Sequence, residues 1–399
     1  MRPAGEGLQG LRPPIEVTYV PRSMADLVIL LSAQLKVFVT RPVTYAKCAL
    51  WAVHRLNPVW VKALLQAGWI ANRLMEAGDT SRPYLHVHAH FANKPALTAM
   101  FAAKLNSLPF SFTGHAKDIY SRVEAVRPIA LARQLAEAKF AVAVTEHGKR
   151  RMLELIAQAG VHAPAVKSRL ADKIHVIHCG IDVELWRPDR RNVPIDQTSP
   201  MILAVGRLVP KKGFERLIQA CALLRDEGIP VECRIVGDGE LRPRLDEMIR
   251  SLDMCNNVFL LGAQPRPEIY RLLQSATVFA LPCIVDQHGD QDGMPVSILE
   301  AMAMGLAVVT SPVGGVDEAI ASEDFGFLVP PVGERELASI LRQLWSDPDR
   351  RSSVGKNARR RIIDQYNLRT NVSRLSDLFM SFIAALILSC GGLTGKTCP

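Results

Sequence analysis

The sequence lacks the features that mark several classes of protein. Its 399 residues include eight cysteines but no C-x-x-C pair, which disfavours a disulfide scaffold or a zinc ribbon and predicts reduced, mostly buried thiols. The first twenty residues hold no apolar segment of a secretory signal. The apolar runs 27–39 and 379–390 are too interrupted or too short for the ~20 residues of a membrane-spanning helix.

Dense basic tracts are absent as well. The chain has 48 Lys and Arg against 39 Asp and Glu, a net charge of +9, and these residues are dispersed, so a nucleic-acid partner is not expected. The excess suits a protein that binds phosphorylated ligands or touches an anionic membrane, and it suits an ordinary basic surface equally well. An apolar content of 48% is typical of globular proteins, and the length suggests two domains at ~150 residues each.

Short apolar runs that alternate with amphipathic helical stretches dominate the second half. Six such repeats lie between Met201 and Trp345, beginning with the runs MILAVG, VECRIVG and NVFLLG. This alternation is typical of βαβ units around a parallel sheet. The region 84–178 alternates less regularly, and the residues before 80 have a mostly helical pattern.

We therefore predict an α/β protein in which two Rossmann-like domains face each other across a ligand-binding cleft. The polar segment 190–200 is the predicted linker. The N-terminal domain is assigned to 1–195 and the C-terminal domain to 196–365. A last helix over Leu368–Phe382 and an irregular tail over Cys390–Pro399 are predicted within the remaining segment, 366–399.

The segment Gly206–Gly213 (GRLVPKKG) follows an apolar strand and precedes a helix. Arg207 and Lys212 in such a loop suit a diphosphate, through direct charge and through the amides of a helix N-terminus. A solvated basic turn is the alternative for this loop taken alone. The Walker pattern is not matched, so an ATPase is not predicted.

Two further strand ends carry polar side chains. In 292–300 (DGMPVSILE) Pro295 is expected at the first position of a helix, so that Asp292 precedes the helix and Glu300 lies within it. These carboxylates are spaced to bond different hydroxyls of one elongated ligand, although an acid near a helix start is commonly only a favourable charge. His115, after a glycine at another strand end, can point into the cleft, and alone it is equally compatible with a surface residue.

The order of these motifs is more specific than any one of them. GRLVPKKG, VGDGE (236–240), the D-x7-E motif followed by AMAMG, and SPVGG (311–315) together resemble the retaining glycosyltransferases of family four, which have the GT-B fold. HAHFA (88–92) and FTGHAKDIY (112–120) are similar to the colanic-acid and exopolysaccharide branch of that family. The resemblance covers residues 84–375.

The resemblance implies a role for each matching residue. Arg207 and Lys212 fall on the pair that binds the donor diphosphate, and Glu300 falls on the acid that holds the ribose. Asp292 and His115 fall on positions that contact the transferred sugar. Further donor contacts are implied at Gly206, Gly237, Gly239, Gly262, Met294 and Val296, with the base near 237–240 and 262–264. Because two cations and a helix dipole can stabilise a leaving diphosphate, neither a cofactor nor a metal ion is expected.

Two departures from the family stand out. The first acid of its E-x7-E motif is normally Glu, so the carboxyl group of Asp292 is one methylene shorter in reach. The strand and loop with which members of this branch begin are not found, so we expect the N-terminal domain to lack its first strand.

Other clusters allow competing interpretations. His86, His88 and His90 alternate along a strand and share a face as metal ligands do, but a structural or cleft-lining role is favoured. The glycines of 237–239 form an incomplete dinucleotide fingerprint, which is weak evidence for NAD. Three tryptophans near basic residues suggest either a membrane-facing surface or core packing, which is favoured. These are Trp51, Trp60 and Trp69, with Arg55, Lys62 and Arg73.

The resemblance therefore implies a retaining hexosyltransferase that moves a sugar from a nucleotide-diphosphate donor to a lipid-linked saccharide in exopolysaccharide or colanic-acid synthesis. We expect it in the cytoplasm, with peripheral contact at the inner face of the plasma membrane. One alternative is an N-terminally truncated, inactive nucleotide-sugar-binding protein. A soluble enzyme resembling glycan phosphorylases is disfavoured, because no Lys-bearing cofactor motif is apparent.

Overall fold

The computed structural model describes residues 17–21, 26–54, 58–78, 84–120, 127–189, 200–330 and 333–391. The contacts within the chain divide it into two compact units. The first comprises Met1–Ala89, Lys94–Phe112 and Glu137–Lys139, and the second comprises His90–Asn93, Thr113–Ala136 and Phe140–Pro399. All but the last residue of the predicted linker, 190–200, lies outside the described residues, and the predicted domain boundaries stay a prediction.

Helices and strands alternate from residue 87 onwards. The strands are β1 (Val87–His90), β2 (Phe110–Gly114), β3 (Phe140–Ala143), β4 (Ile174–Val176), β5 (Met201–Val205), β6 (Glu232–Val236), β7 (Val258–Gly262), β8 (Val278–Leu281), β9 (Ala307–Thr310) and β10 (Phe327–Leu328). The helices are α1 (Leu27–Thr40), α2 (Pro42–His54), α3 (Pro58–Gly78), α4 (Lys94–Leu105), α5 (Ala116–Ile119), α6 (Pro128–Glu137), α7 (Glu146–Gln158), α8 (Pro164–Asp172), α9 (Phe214–Asp226), α10 (Arg242–Ser251), α11 (Arg266–Ser275), α12 (Val296–Ala303), α13 (Val316–Ala319), α14 (Glu334–Ser346), α15 (Pro348–Gln365) and α16 (Leu368–Gly391).

The second unit contains a six-stranded sheet with the order β10-β9-β8-β5-β6-β7. Each neighbouring pair in this sheet is parallel. The central strands β5, β8 and β9 are buried along their whole length, because helices cover both faces of such a sheet and leave no position for an alternating polar side chain. The six repeats predicted from the sequence are therefore the six strands of one parallel sheet.

The other sheet has four strands in the order β1-β2-β3-β4, and β3 and β4 are parallel. In the first unit, helix α3 packs on α1 and α4. The rings of Trp51 and Trp60 lie 3.9 Å apart, Trp51 also contacts Phe101 at 5.4 Å, and Trp60 is buried. Two of the three tryptophans are thus packed inside rather than presented as a surface.

Three helices depart from the sequence-based expectations. Pro295 is the residue before α12 rather than its first residue, with ψ at 122°. Helix α16 continues to Gly391 instead of ending near Phe382, and Phe379 and Phe382 pack on Phe140 with 5.3 Å between ring centroids. Helix α15 was not anticipated, because its apolar stripe is narrow and most of its residues are charged or small. Among the described residues, no helix is both long and apolar enough to cross a membrane.

Candidate functional site

All the side chains predicted to bind a ligand lie in the second unit. The loop after β5 carries two of them. Arg207 is exposed, whereas Lys212 is buried on the short 3₁₀ turn Pro210–Lys212. A Cβ atom on Gly206 would lie 3.2 Å from Lys212 Cε, so the glycine leaves room for the lysine to run back along the end of the strand.

The ammonium group of Lys212 forms an ion pair with the predicted sugar-contacting acid. Lys212 Nζ lies 2.7 Å from Asp292 Oδ2, and Lys211 Nζ lies 3.5 Å from Asp292 Oδ1. Lys211 also bonds Asp290 Oδ2 at 3.0 Å. The structure therefore brings Asp292 and Lys212 together, and it adds Lys211 and Asp290, which sequence reasoning had passed over.

Helix α12 begins beside the end of β5. The hydroxyl of Ser297 donates a hydrogen bond of 2.8 Å to the carbonyl oxygen of Val205, which ties the first turn of the helix to the last residue of the strand. The first amides of a helix have no acceptor within that helix and carry the positive end of its dipole. The predicted contacts Met294 and Val296 lie at this end, with Val296 about half exposed.

Glu300 lies one turn further along α12 and is half-buried. Burial raises the pKa of its carboxyl group to about 7, and the positive charge of Arg266 partly opposes that rise. Within the described part of the chain, no side chain forms an ion pair or a hydrogen bond with this carboxylate. Glu300 is therefore available to accept hydrogen bonds from a ligand hydroxyl.

His115 precedes α5 in a loop that its neighbours hold firmly. Its amide donates to Asp118 Oδ1 at 2.9 Å, while the other oxygen of Asp118 accepts the amide of Ala92. His115 Nε2 lies 3.1 Å from His90 Nδ1, and its ring is 4.7 Å from that of Phe91. Burial, followed by the neighbouring His90, lowers the pKa of His115 to about 4, so its imidazole is neutral at pH 7.

The His115 loop touches the loop of Asp292. A Cβ atom on Gly293 would lie 3.0 Å from Ala116 Cβ, so the residues that follow His115 and Asp292 are in direct contact. The carbonyl of Gly293 also accepts the amide of Gly315, in the SPVGG motif, at 2.6 Å. Motifs separated by almost two hundred residues in the sequence therefore meet at one place.

The predicted donor-site glycines are needed for close backbone packing at neighbouring strand ends. A Cβ atom on Gly237 would lie 1.8 Å from the carbonyl oxygen of Gly206, and one on Gly239 would lie 2.5 Å from that of Leu208. The amide of Gly237 bonds the carbonyl of Gly262 at 2.9 Å, and Gly262 has φ at 70°. These contacts align the carboxyl ends of β5, β6 and β7, where open α/β sheets bind ligands.

The histidines in β1 and just before it do not gather around one point. His86 and His88 both bond the hydroxyl of Ser111, at 2.6 and 2.7 Å, whereas His90 bonds His115. In the described ranges no group of three or more His, Cys, Asp or Glu side chains could hold a metal ion.

One sequence signal was overlooked. No D-x-D pair was expected, which is wrong, because Asp290-Gln291-Asp292 has the D-x-D spacing of carboxylates that bind divalent cations beside diphosphates. In the structure these two carboxylates are paired with the ammonium groups of Lys211 and Lys212. The signal available in the sequence was the adjacent pair Lys211 and Lys212 together with the two aspartates of the later segment 290–292.

Comparison with known proteins identifies the domain that holds most of this site. Residues 187–361 match the family of group 1 glycosyl transferases. The chain carries a group 1 glycosyl transferase domain. This domain contains Arg207, Lys212, Asp292 and Glu300, so the glycosyltransferase resemblance predicted from their order is confirmed for residues 187–361.

The relatives of this glycosyl transferase domain include proteins named as glycosyltransferases of amylovoran and colanic acid biosynthesis. The amylovoran biosynthesis glycosyltransferase AmsK of Erwinia amylovora is 34% identical over 211 residues, which are 52% of this chain and 51% of AmsK. WcaL of Escherichia coli K12, which carries the name of a colanic acid biosynthesis glycosyltransferase, is 33% identical over 53% of this chain and 52% of its own length. The chain therefore spans about half the length of the curated relatives that it matches.

Solved structures of other glycosyltransferases share the fold. HepE from Anabaena in complex with UDP is 21% identical, covers 78% of this chain and 82% of its own, and superposes with a TM-score of 0.63. A glycosyltransferase from Rickettsia africae is 22% identical over 80% and 81% of the two chains, with a TM-score of 0.65. At these identities the likeness shows the fold alone, and the predicted α/β class and GT-B fold are confirmed.

Proposed function

We propose that this protein is a retaining glycosyltransferase that moves a hexosyl group from a nucleotide-diphosphate sugar to a lipid-linked saccharide during cell-surface polysaccharide synthesis. The observation that carries the proposal is that charged side chains lie next to a helix start at the end of β5. There the loop with Arg207 and Lys212 lies against the start of α12, which the Ser297–Val205 hydrogen bond holds in place.

The leaving group supports this assignment. Cleavage of the bond between a sugar and a diphosphate builds negative charge on the leaving oxygens. The guanidinium of Arg207, the ammonium of Lys212 and the amides at the start of α12 are donors of the kind that stabilise such charge. Glu300 is placed further along the same helix, where its carboxylate accepts hydrogen bonds from the ribose hydroxyls of the donor.

The sugar is assigned to the other side of the same loops. Asp292 accepts hydrogen bonds from its hydroxyls, and neutral His115 can either donate or accept one. Retention of configuration requires attack by the acceptor on the face from which the diphosphate leaves. The chain's own cations carry the leaving-group charge in this proposal, so no metal ion is assigned a step.

The proposed lipid-linked acceptor requires contact with a membrane, and the first unit offers a surface for it. Helices α1 and α2 contain no Asp or Glu. Large apolar side chains, each about half exposed or more, point outward from both helices, and we name them the α1–α2 apolar face. They are Val28, Leu31, Leu35, Val39, Val43, Leu50 and Val53.

Exposed Arg41 and Lys47 accompany this face, so its charge is complementary to anionic phospholipid. We expect the protein to sediment with vesicles of phosphatidylglycerol and phosphatidylcholine and not with phosphatidylcholine alone. Leu35→Glu combined with Leu50→Glu should abolish sedimentation, while Val372→Glu on α16 serves as a matched exposed control. Equal sedimentation of all variants would exclude this surface.

The activity is tested by titrating the purified chain with UDP-, GDP- and ADP-sugars while heat and free nucleotide are followed together. We expect one nucleotide to bind and to be released, faster when a membrane-lipid acceptor is present. Binding without release, even with acceptor, would replace the proposal by nucleotide-sugar binding without transfer. Absence of binding by every nucleotide sugar would overturn both.

A further inference from the structure

Two lysines and two aspartates form an alternating chain of charges beneath the proposed sugar site. Lys212 bonds one oxygen of Asp292, Lys211 lies near the other oxygen, and Lys211 in turn bonds Asp290. The lysine side chains are only 8% and 11% exposed. Both oxygens of Asp292 are thus oriented by buried cations, whereas a single contact would leave the carboxylate free to rotate.

The loop that carries both aspartates is fastened to Lys211 by main-chain as well as side-chain bonds. The carbonyl of Lys211 accepts the amide of Ile284 at 2.9 Å. Asp286 Oδ1 accepts the amides of His288 and Asp290, each at 2.8 Å. Lys211 therefore touches both ends of the segment 284–292, at Ile284 and at Asp290 and Asp292.

We propose that Lys211 is a positioning residue for Asp292 and that Asp290 holds Lys211 in the required place. The inference rests on the proposed function for its substrate, a nucleotide-diphosphate sugar. Aspartate is one methylene shorter than the glutamate that the family normally has here, so its carboxylate has less reach toward the sugar. A buried lysine on each side fixes the short carboxylate in one orientation, which compensates for the missing methylene through preorganisation.

The proposal predicts that substitutions at Lys211 and Asp290 impair the reaction of the nucleotide sugar but leave the affinity for the nucleoside diphosphate nearly unchanged. Lys211→Met and Asp290→Asn should lower kcat/KM for the nucleotide sugar about tenfold or more, because a small misplacement of a contacting group reduces the rate steeply. The Kd of the corresponding nucleoside diphosphate, which has no sugar, should stay within about threefold of the wild-type value. Lys211→Arg, which keeps the charge, should recover part of the lost kcat/KM.

A double-mutant cycle provides the sharpest test. In the Asp292→Glu variant the longer side chain depends less on Lys211, so adding Lys211→Met should cost much less than it costs the wild type. Strictly additive losses would overturn the proposal. An equal loss of affinity for diphosphate and for nucleotide sugar in Lys211→Met would also overturn it, since Lys211 would then bind phosphate directly.

Titrations of the nucleotide sugar in EDTA and in Mg²⁺ test whether the two aspartates bind a cation instead. Tighter binding in Mg²⁺ that depends on Asp290 would assign the D-x-D pair to a cation and overturn the lysine role.

Hydrogen exchange of the ligand-free chain separates failure of this inference from failure of the proposed function. Loss of the Lys211–Asp290 pair should speed exchange of the Ile284 and Asp290 amides by about tenfold, and Lys167→Met, at an exposed position of α8, should leave both unchanged. Faster exchange in a chain that turns over no donor would contradict the function and leave the positioning role standing. Unchanged exchange in Lys211→Met and Asp290→Asn would overturn the positioning role whatever the activity.

Discussion

The carboxylate of Glu318 accepts the amide of His147 at 2.8 Å and the amide of Glu146 at 2.9 Å. These amides belong to the first turn of α7, where Thr145 Oγ1 accepts a third amide, that of Gly148. A carboxylate from α13 thus caps a helix that lies 171 residues away in sequence. The same helix end would otherwise leave two donors unsatisfied.

Removing that charge should destabilise the second unit. We expect Glu318→Gln to lower the free energy of unfolding by about 1–3 kcal/mol, because an amide placed against two backbone donors satisfies at most one of them. Urea unfolding followed by circular dichroism measures the change. Glu323→Gln is the control, since Glu323 is 73% exposed and its pair with Arg350 is worth at most ~1 kcal/mol. Equal midpoints for the two variants would contradict the capping role.

Two substitutions in the proposed donor site should reduce turnover without unfolding the chain. Lys212→Ala and Glu300→Ala each remove a charged contact to the donor, and loss of a fixed group of this kind raises a barrier by about 2.7–4 kcal/mol. We therefore expect release of nucleotide to fall at least ~10-fold in each. Lys356→Ala, on the exposed side of α15, serves as the control, and thermal melts verify the fold. Unchanged turnover in both variants would exclude the assigned site.

The buried carboxyl group of Glu300 should make stability depend on pH. Its folded pKa of about 7 lies above the ordinary value of 4.5, so the folded chain holds this proton more tightly than the unfolded chain does. The resulting stability is fully present below about pH 4.5 and is lost as the pH rises through about 7. Melting temperatures of Glu300→Gln and wild type should therefore diverge between pH 5 and pH 8 in favour of the variant. A constant difference across this range would refute the raised pKa.

The glycine at the end of β6 should tolerate no side chain. In Gly237→Ala the new Cβ atom would meet the carbonyl oxygen of Gly206, which pushes the Arg207 loop away and should abolish nucleotide binding. Gly228→Ala is the matched control, because Gly228 also has a positive φ but faces open space. It should lose only ~1–2 kcal/mol of stability and retain binding in the same titration. Binding by Gly237→Ala with wild-type affinity would show that the loop adapts.

The parallel sheet could be predicted from the sequence, because a strand that is buried on both faces is an uninterrupted run of apolar residues. The runs MILAV, VFAL and AVVT are apolar without interruption and become β5, β8 and β9. Helix α15 has no clear apolar periodicity in the sequence, since its 18 residues include only four buried ones, Val354, Gly355, Ala358 and Ile362. A pattern-based prediction therefore succeeds where packing is two-sided and fails where a helix buries a narrow stripe.

Candidate site residues that stand alone in a motif could be predicted, and their pairings could not. The order of the motifs singled out Lys212 and Asp292, yet their ion pair joins positions 80 apart. The pairing of Lys211 with Asp290, 79 apart, cannot be read from the GRLVPKKG motif or from the D-x-D spacing. Such pairings depend on which strand ends become neighbours, and the order β8-β5-β6 is a property of the whole sheet rather than of any segment.

The α1–α2 apolar face also governs how this protein behaves once it is taken out of a cell. Apolar side chains such as Val28, Leu35 and Leu50 are each about two-thirds exposed or more, and their contact with water is unfavourable. In a purified preparation these side chains can be buried against the same face of another molecule. Self-association should therefore grow with protein concentration and disappear on addition of a mild detergent. A purification without amphiphile selects for aggregates, and kinetics measured on them would describe the aggregate rather than the single molecule.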